Sequence, residues 1–122
     1  MSPRRIAVLT SGGDAPGMNA AVRAVVRMAD HAGVEVVGIK RGFAGLVEGE
    51  VRQLDRRSVG GIIDQAGTVL GSARLPSFRD AAVRLQARAA LQAHGVEALV
   101  VIGGNGSQAG AAALAADGVA VV

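Results

Sequence analysis

Short runs that are apolar throughout alternate with longer segments that are apolar on one face only, and this alternation continues along all 122 residues. Ile6–Thr10 is apolar on both faces and reads as a buried parallel strand. From Gly17 to Ala32 the apolar positions Val22, Val25, Val26 and Ala29 recur on one helical face, with Gly33 as the C-terminal stop. Val34–Ile39 is a second apolar strand, the glycines of Gly42–Gly49 mark a loop, and Val51–Leu54 is a short strand. Ser58 can cap a helix reaching Gln65, weakened by Gly60 and Gly61, and Ala66–Gly71 reads as loop. Asp80 to His94 is a strong helix with Val83, Ala87, Ala90 and Leu91 inward, ended by Gly95. Ala98–Ile102 is another buried strand, Gln108–Ala116 a helix, and Val119–Val122 opens a further strand. Strands alternating with helices at this spacing predict an α/β domain with a parallel sheet. An apolar end inside a strand leaves an exposed sheet edge, so the chain reads as a truncated portion of a domain.

Composition narrows the class. Half the residues are hydrophobic, 18 are glycine and only 2% are aromatic, so Ala and Val must fill the interior, which suits helices packed closely on a sheet. The absence of Cys removes disulfides, thiolate metal sites and thiol nucleophiles together. No apolar run approaches the ~20 residues of a membrane span. The stretch after Arg4 and Arg5 is shorter than the ~7–15 residues of a signal-peptide core, which favours a cytoplasmic protein. The net charge of +3 is small, the arginines are dispersed and there are two Phe, so nucleic acid and membrane surfaces are not expected partners.

Two stretches carry chemistry. Ile6–Asp14 and Leu99–Ser107 each run from an apolar segment into paired glycines and then into a small-residue helix. Such turns leave backbone N–H groups pointing together, with the positive end of a helix dipole behind them, and these groups suit phosphate. Two such loops suggest a polyphosphate held between them. In Thr10–Asn19, Gly12 and Gly13 let the backbone approach a phosphate, Asp14 can orient the loop or hold a cation through water, and Pro16 stiffens the helix entry. A plain strand-to-helix turn needs only part of that decapeptide. In Gly103–Ser107, three glycines exceed what turning requires, and Ser107 can cap the helix or donate to a phosphate. Arg23 and Arg27 lie four apart and share a helix face distinct from the Val22/Val25/Val26 stripe. With Arg56 and Arg57 they make a second, distant anion site conceivable, against the plainer reading of a solvated surface. By spacing alone Arg74 is a generic surface residue, and His31 and His94 suit the C-terminal ends of helix dipoles.

Taken together, Leu9–Ala21, Gly42–Gly49, Arg57–Val59, Gly67–Arg74 and Ala98–Gly104 resemble bacterial ATP-dependent 6-phosphofructokinase, over nearly the whole chain. The resemblance implies a Rossmann-like parallel sheet flanked by helices, with residues 1–122 forming the N-terminal ATP-binding portion of the large domain. It implies transfer of the γ-phosphoryl of MgATP to the 1-hydroxyl of fructose 6-phosphate. By position, Gly13 would contact the ATP phosphates, and Arg74 would stabilise charge on the transferring group. Leu75, Gly104, Asn105, Gly106 and Ser107 would complete the nucleotide pocket. Arg23, Arg27 and Arg56 would fall in an effector site for ADP or phosphoenolpyruvate, and the full-length protein would be a homotetramer.

Two departures stand out. Where the family has a magnesium-binding Asp this chain has Asn105, whose neutral amide is a weaker cation ligand than a carboxylate. Gly61 stands where the family often has a polar or acidic residue. The family's catalytic base, in a Thr-Ile-Asp motif, lies beyond residue 122, so the piece alone is not expected to turn over. Three rivals follow: a non-catalytic or regulatory homologue, on the strength of Asn105; a pyrophosphate-dependent enzyme, disfavoured by Gly106; and a dinucleotide binder. The last lacks Gly-x-Gly-x-x-Gly after the first strand and has Lys40 and Arg41 where an acid is expected.

Overall fold

Residues buried on both faces of a sheet leave the chain little choice but a strand between two layers, and the central strands here are of that kind. The computed structural model describes residues 5–11, 16–55, 70, 75–103 and 105–122. In chain order these form β1 (Arg5–Ser11), α1 (Pro16–Ala32), β2 (Glu35–Ile39), α2 (Gly42–Glu48), β3 (Val51–Leu54), a 3-10 turn (Pro76–Arg79), α3 (Ala81–Ala93), β4 (Ala98–Gly103) and α4 (Asn105–Ala116). The sheet order is β3-β2-β1-β4. β1 pairs in parallel with β2 (Val8 opposite Gly38) and with β4 (Val8 opposite Val100).

Alternate residues of each central strand face opposite layers. Ala7, Leu9, Val37, Ile39 and Leu99 join Phe43, Leu46, Phe78, Ala87, Leu91 and Leu114 on the side covered by α2, α3 and α4. Val8 and Val36 meet Val22, Val26 and Ala29 of α1 on the other side, with Leu54 and Leu70. The α1 stripe read from periodicity is therefore its buried face, with Val25 at its margin.

The α/β class with helices on both faces is as expected, and three local readings change. First, β3 runs antiparallel to β2 (Val37 opposite Gln53), so the sheet is mixed rather than wholly parallel. Residues 40–50, the short α2 included, are all that link β2 to β3, fewer than the dozen or so that a parallel crossover needs. Second, the glycine-rich segment expected as a loop is α2. Gly49, at φ 74°, is its left-handed C-cap, and its N–H returns to Leu46 at 3.2 Å. Gly45 is there for close approach, because a Cβ would run into the carbonyl of Lys40. Third, α4 begins at Asn105, three residues before the expected start at Gln108, and takes in part of the second glycine loop.

The expected helix at 58–65 and loop at 66–71 lie outside the described residues, apart from Leu70. The segment after α4 does begin a further strand: Val121 bridges Leu99 in parallel, on the side of β4 away from β1. The Leu99 N–H donates to the Ala120 carbonyl at 2.8 Å, and the Val101 N–H to Val122 at 3.0 Å. His31 sits in the last turn of α1 and His94 caps the end of α3, as the dipole argument placed them. The cation that meets the α3 terminus is Arg5, whose Nη1 donates to the His94 carbonyl at 2.7 Å.

Candidate functional site

β1 and β4 are adjacent and parallel, and their register ends with Ser11 opposite Gly103. The two strands therefore end side by side, at the C-terminal edge, where the sequence of each runs on into its glycine-rich segment. α1 starts at Pro16 and α4 at Asn105, just past those loops, and they cover opposite faces of the sheet. From β1 the chain goes through α1 to β2 on one side, then crosses back to add β4 on the other. Open α/β sheets bind ligands at such a switch point, where the helix N-termini diverge and leave a crevice. The pairing explains Gly103 as well. A Cβ there would fall on the Ser11 carbonyl and the Ser107 hydroxyl, so only glycine lets the second loop and the first turn of α4 close onto β1.

Polarity concentrates at this edge. Among the described residues the buried polar side chains are Thr10, Asn19 and Ser107, at 0%, 0% and 2% exposure. They occupy the end of β1, the first turns of α1 and the first turn of α4. Every buried side-chain nitrogen and oxygen among the described residues has a hydrogen-bond partner.

The expected site residues divide accordingly. Ser107 sits at the edge, folded against Gly103. Asn105 and Gly106 open α4, although their side-chain surroundings lie outside the described residues. Leu75 is half-buried, directly before the 3-10 turn and packed on the core beneath α2, α3 and α4. Gly13, Arg74, Gly104 and Arg56 lie outside the described residues, as do Gly12, Asp14 and Arg57. Arg23 is half-buried and Arg27 exposed. At ~1.5 Å of rise per residue they lie roughly 10 and 16 Å along α1 from its first residue.

Sequence reasoning missed two polar groupings. Arg84 in α3 donates from Nε to Asp117 at 2.7 Å, and from Nη1 to the carbonyls of Arg79 (2.7 Å) and Phe78 (3.1 Å). It ties the 3-10 turn beside Leu75 to the end of α4. No spacing rule could have paired positions 84 and 117. The second grouping is Arg41, a left-handed residue at φ 60° at the end of β2. Its guanidinium donates to Glu50 at 2.7 and 3.0 Å and also pairs with Glu48. The hydrogen bond from Arg41 holds the Glu50 carboxyl below the usual carboxylate range, and the pair pushes the guanidinium up in turn. A third omission, Asn19, was legible: it continues the Val22 and Val26 stripe one turn back, where an apolar residue is the norm.

Comparison with known proteins gives a consistent picture. The family model described as Phosphofructokinase matches residues 5–122. The "ATP-dependent 6-phosphofructokinase" of Vibrio vulnificus (strain YJ016) is 61% identical over 108 residues, which are 88% of this chain and 34% of that protein. The "ATP-dependent 6-phosphofructokinase 1" of Clostridium perfringens is 58% identical over 119 residues, 98% of this chain and 37% of that protein. This chain thus spans about a third of the length of the curated relatives it matches. Among solved structures, Pichia pastoris phosphofructokinase in the T-state superposes with a TM-score of 0.91 at 39% identity, over 96% of this chain and 14% of that one.

Proposed function

Since the chain belongs to the phosphofructokinase family, we propose that it is the N-terminal, nucleotide-binding portion of an ATP-dependent 6-phosphofructokinase that phosphorylates the 1-hydroxyl of fructose 6-phosphate. The observation that carries this reading is the pairing of Ser11 with Gly103, which ends both strands at one edge, each a few residues before a helix start and followed in sequence by glycines. A chain of phosphates laid across that edge meets backbone N–H groups and two helix dipoles of favourable sign. Gly13 and Arg74 are the residues we assign to the transferring phosphoryl group. Leu75, Gly104, Asn105, Gly106 and Ser107 are assigned to the rest of the nucleotide. Gly106, with no side chain to crowd the pocket, favours ATP over pyrophosphate.

Magnesium is the cation this chemistry uses, and it would neutralise charge on the phosphates. Among the described residues no group of three or more His, Cys, Asp or Glu could hold a metal ion. Asn105 offers one neutral oxygen donor, so in this reading the ion is held chiefly by the nucleotide's own phosphates. Arg23, Arg27 and Arg56 form the effector site we assign to ADP or phosphoenolpyruvate, and the full-length protein works as a cytoplasmic homotetramer. No helix among the described residues is long and apolar enough to cross a membrane.

The test is product formation by the full-length protein, with ATP or pyrophosphate as donor. Fructose 1,6-bisphosphate is expected with ATP and not with pyrophosphate; the opposite preference would overturn the reading. Asn105 favours one second reading, a homologue that binds nucleotide without turning it over. A magnesium titration separates the two. If Asn105 is a weakened ligand in a working enzyme, Asn105→Asp lowers the half-saturating magnesium concentration about tenfold, the worth of one charge-assisted contact. A decayed site shows no turnover in either form.

A further inference from the structure

Arg41 holds a backbone conformation that its residue type disfavours. Its φ is 60° and its ψ 35°, and among the described residues no other residue except glycine has a positive φ. Gly42 also has φ 60°, so the turn from β2 into α2 takes two left-handed residues in succession. Glycine adopts that region freely, whereas in any other residue the Cβ crowds the following carbonyl. The turn is tight because α2 comes back onto the end of β2. A Cβ on Gly45 would fall on the Lys40 carbonyl, and the Lys40 N–H donates to the Glu50 carbonyl at 2.9 Å. The Arg41 side chain closes the same corner. Its Nε and Nη2 donate to the two carboxylate oxygens of Glu50 at 3.0 and 2.7 Å, and Nη2 also pairs with Glu48. β2 runs parallel to β1 and ends at Ile39, so the corner lies at the same edge of the sheet as Ser11. An arginine in that place would suit a phosphate, yet two carboxylates around one guanidinium leave it no positive charge to offer.

We infer that Arg41, Glu48 and Glu50 form an ionic lock, not a ligand site, which holds a strained turn and loosens as salt screens it. The inference is independent of the nucleotide reading above. A single exposed ion pair contributes little, but a forked arginine–carboxylate pair with a second acid on the same guanidinium contributes more. The three side chains are 46%, 58% and 40% exposed, so solvent ions reach them. The screening length falls from about 30 Å at 0.01 M salt to about 3 Å at 1 M. Steric strain at Arg41 is not screened at all. Raising the salt therefore removes the attraction that offsets the strain and leaves the strain in place. The first buried side chain past the turn is Phe43, whose ring lies 4.5 Å from that of Phe78, so loosening the lock frees the start of α2.

The experiment is amide hydrogen exchange in the full-length protein, read by mass spectrometry over residues 40–50 at about 20 mM and about 1 M sodium chloride. The amides of Lys40, Arg41, Gly45 and Glu50, all bonded at this corner, report on the turn, and those of α3 serve as the internal reference. In the wild type, exchange over 40–50 is expected to speed up about fivefold at high salt relative to α3, the worth of a small exposed ion-pair network. Arg41→Ala keeps the strain without the lock, and is expected to exchange fast at both salt concentrations. Arg41→Gly removes both, and is expected to exchange slowly at both. Should Arg41→Ala not fold, Glu50→Gln keeps the strain and loses the fork, and carries the same expectation; combined with Arg41→Gly it should change nothing further. Exchange that ignores salt in the wild type overturns the inference, as does Arg41→Gly exchanging as fast as Arg41→Ala. Calorimetry with ATP tests the ligand alternative: Arg41→Gly is expected to bind within twofold of wild type, and a tenfold loss with the turn still protected would make Arg41 a phosphate ligand and overturn the lock.

Discussion

Gly103 is where a single hydrogen atom in place of a side chain decides the geometry of the second loop. Its neighbour across the ladder is Ser11, and the space a methyl group would need is taken by the Ser11 carbonyl and the Ser107 hydroxyl. Gly103→Ala must push β4 from β1 or turn Ser107 out of its buried position. It is expected to cost about 1–3 kcal/mol, the usual range for overpacking a tight site. It should also weaken ATP binding, since the displaced groups bear the loop. Urea denaturation and nucleotide titration on the same variant check both, and unchanged stability would mean the close approach is relieved elsewhere. This role could not be read from the sequence. Gly103 stood out there as one of three glycines around a phosphate loop, but that its first task is to let two strands meet depends on a residue far away in the chain.

At the scale of elements, α3 shows how far local signals reach. Asp80 was expected to open this helix, and its carboxylate accepts the Ala82 N–H at 3.0 Å as the N-cap. Asp80→Ala is expected to lower stability by about 1 kcal/mol, the typical worth of such a cap, with little effect on KM for either substrate. Chemical denaturation measures it, and an effect confined to KM would instead place Asp80 in the site. Helices with caps and apolar stripes were legible because those signals are local. α2 was not, because its glycines serve as a C-cap and as a close approach to Lys40, roles that look like loop until the neighbour is known. β3 was legible as a strand but not in direction, which the short connection decides. The acid pair that anchors Arg41 sits at the C-terminal end of α2, yet only the fold brings both carboxylates to one guanidinium.

At the scale of the molecule, Phe43 joins the layers that border the site. Its ring lies 4.5 Å from that of Phe78 in the 3-10 turn, and α4 passes over it at Gly110. Leu75 leads into that turn and Ser107 lies in the first turn of that helix, so both elements beside the β1/β4 edge rest on one buried side chain. Phe43→Ala is expected to cost about 3–5 kcal/mol, as large-to-small changes at buried aromatics do, and to raise KM for ATP more than KM for fructose 6-phosphate. Steady-state kinetics beside thermal melting tests this: an equal rise in both constants would remove the bias toward ATP, and unchanged constants would mean the cavity acts on stability alone. The pairing of β1 with β4 has one further consequence, for folding and linkage. Ile6 lies opposite Ala98, so this ladder closes a loop of about ninety residues, the slow, entropy-costly kind of contact in any chain. The crevice exists only once that closure is made. On the proposed reading, a polyphosphate bound at this edge would act as a removable crosslink between distant parts of the chain. At a hundred times its dissociation constant it would add about 2.7 kcal/mol to the folded state, and it would do so at the ladder with the greatest sequence separation in the sheet.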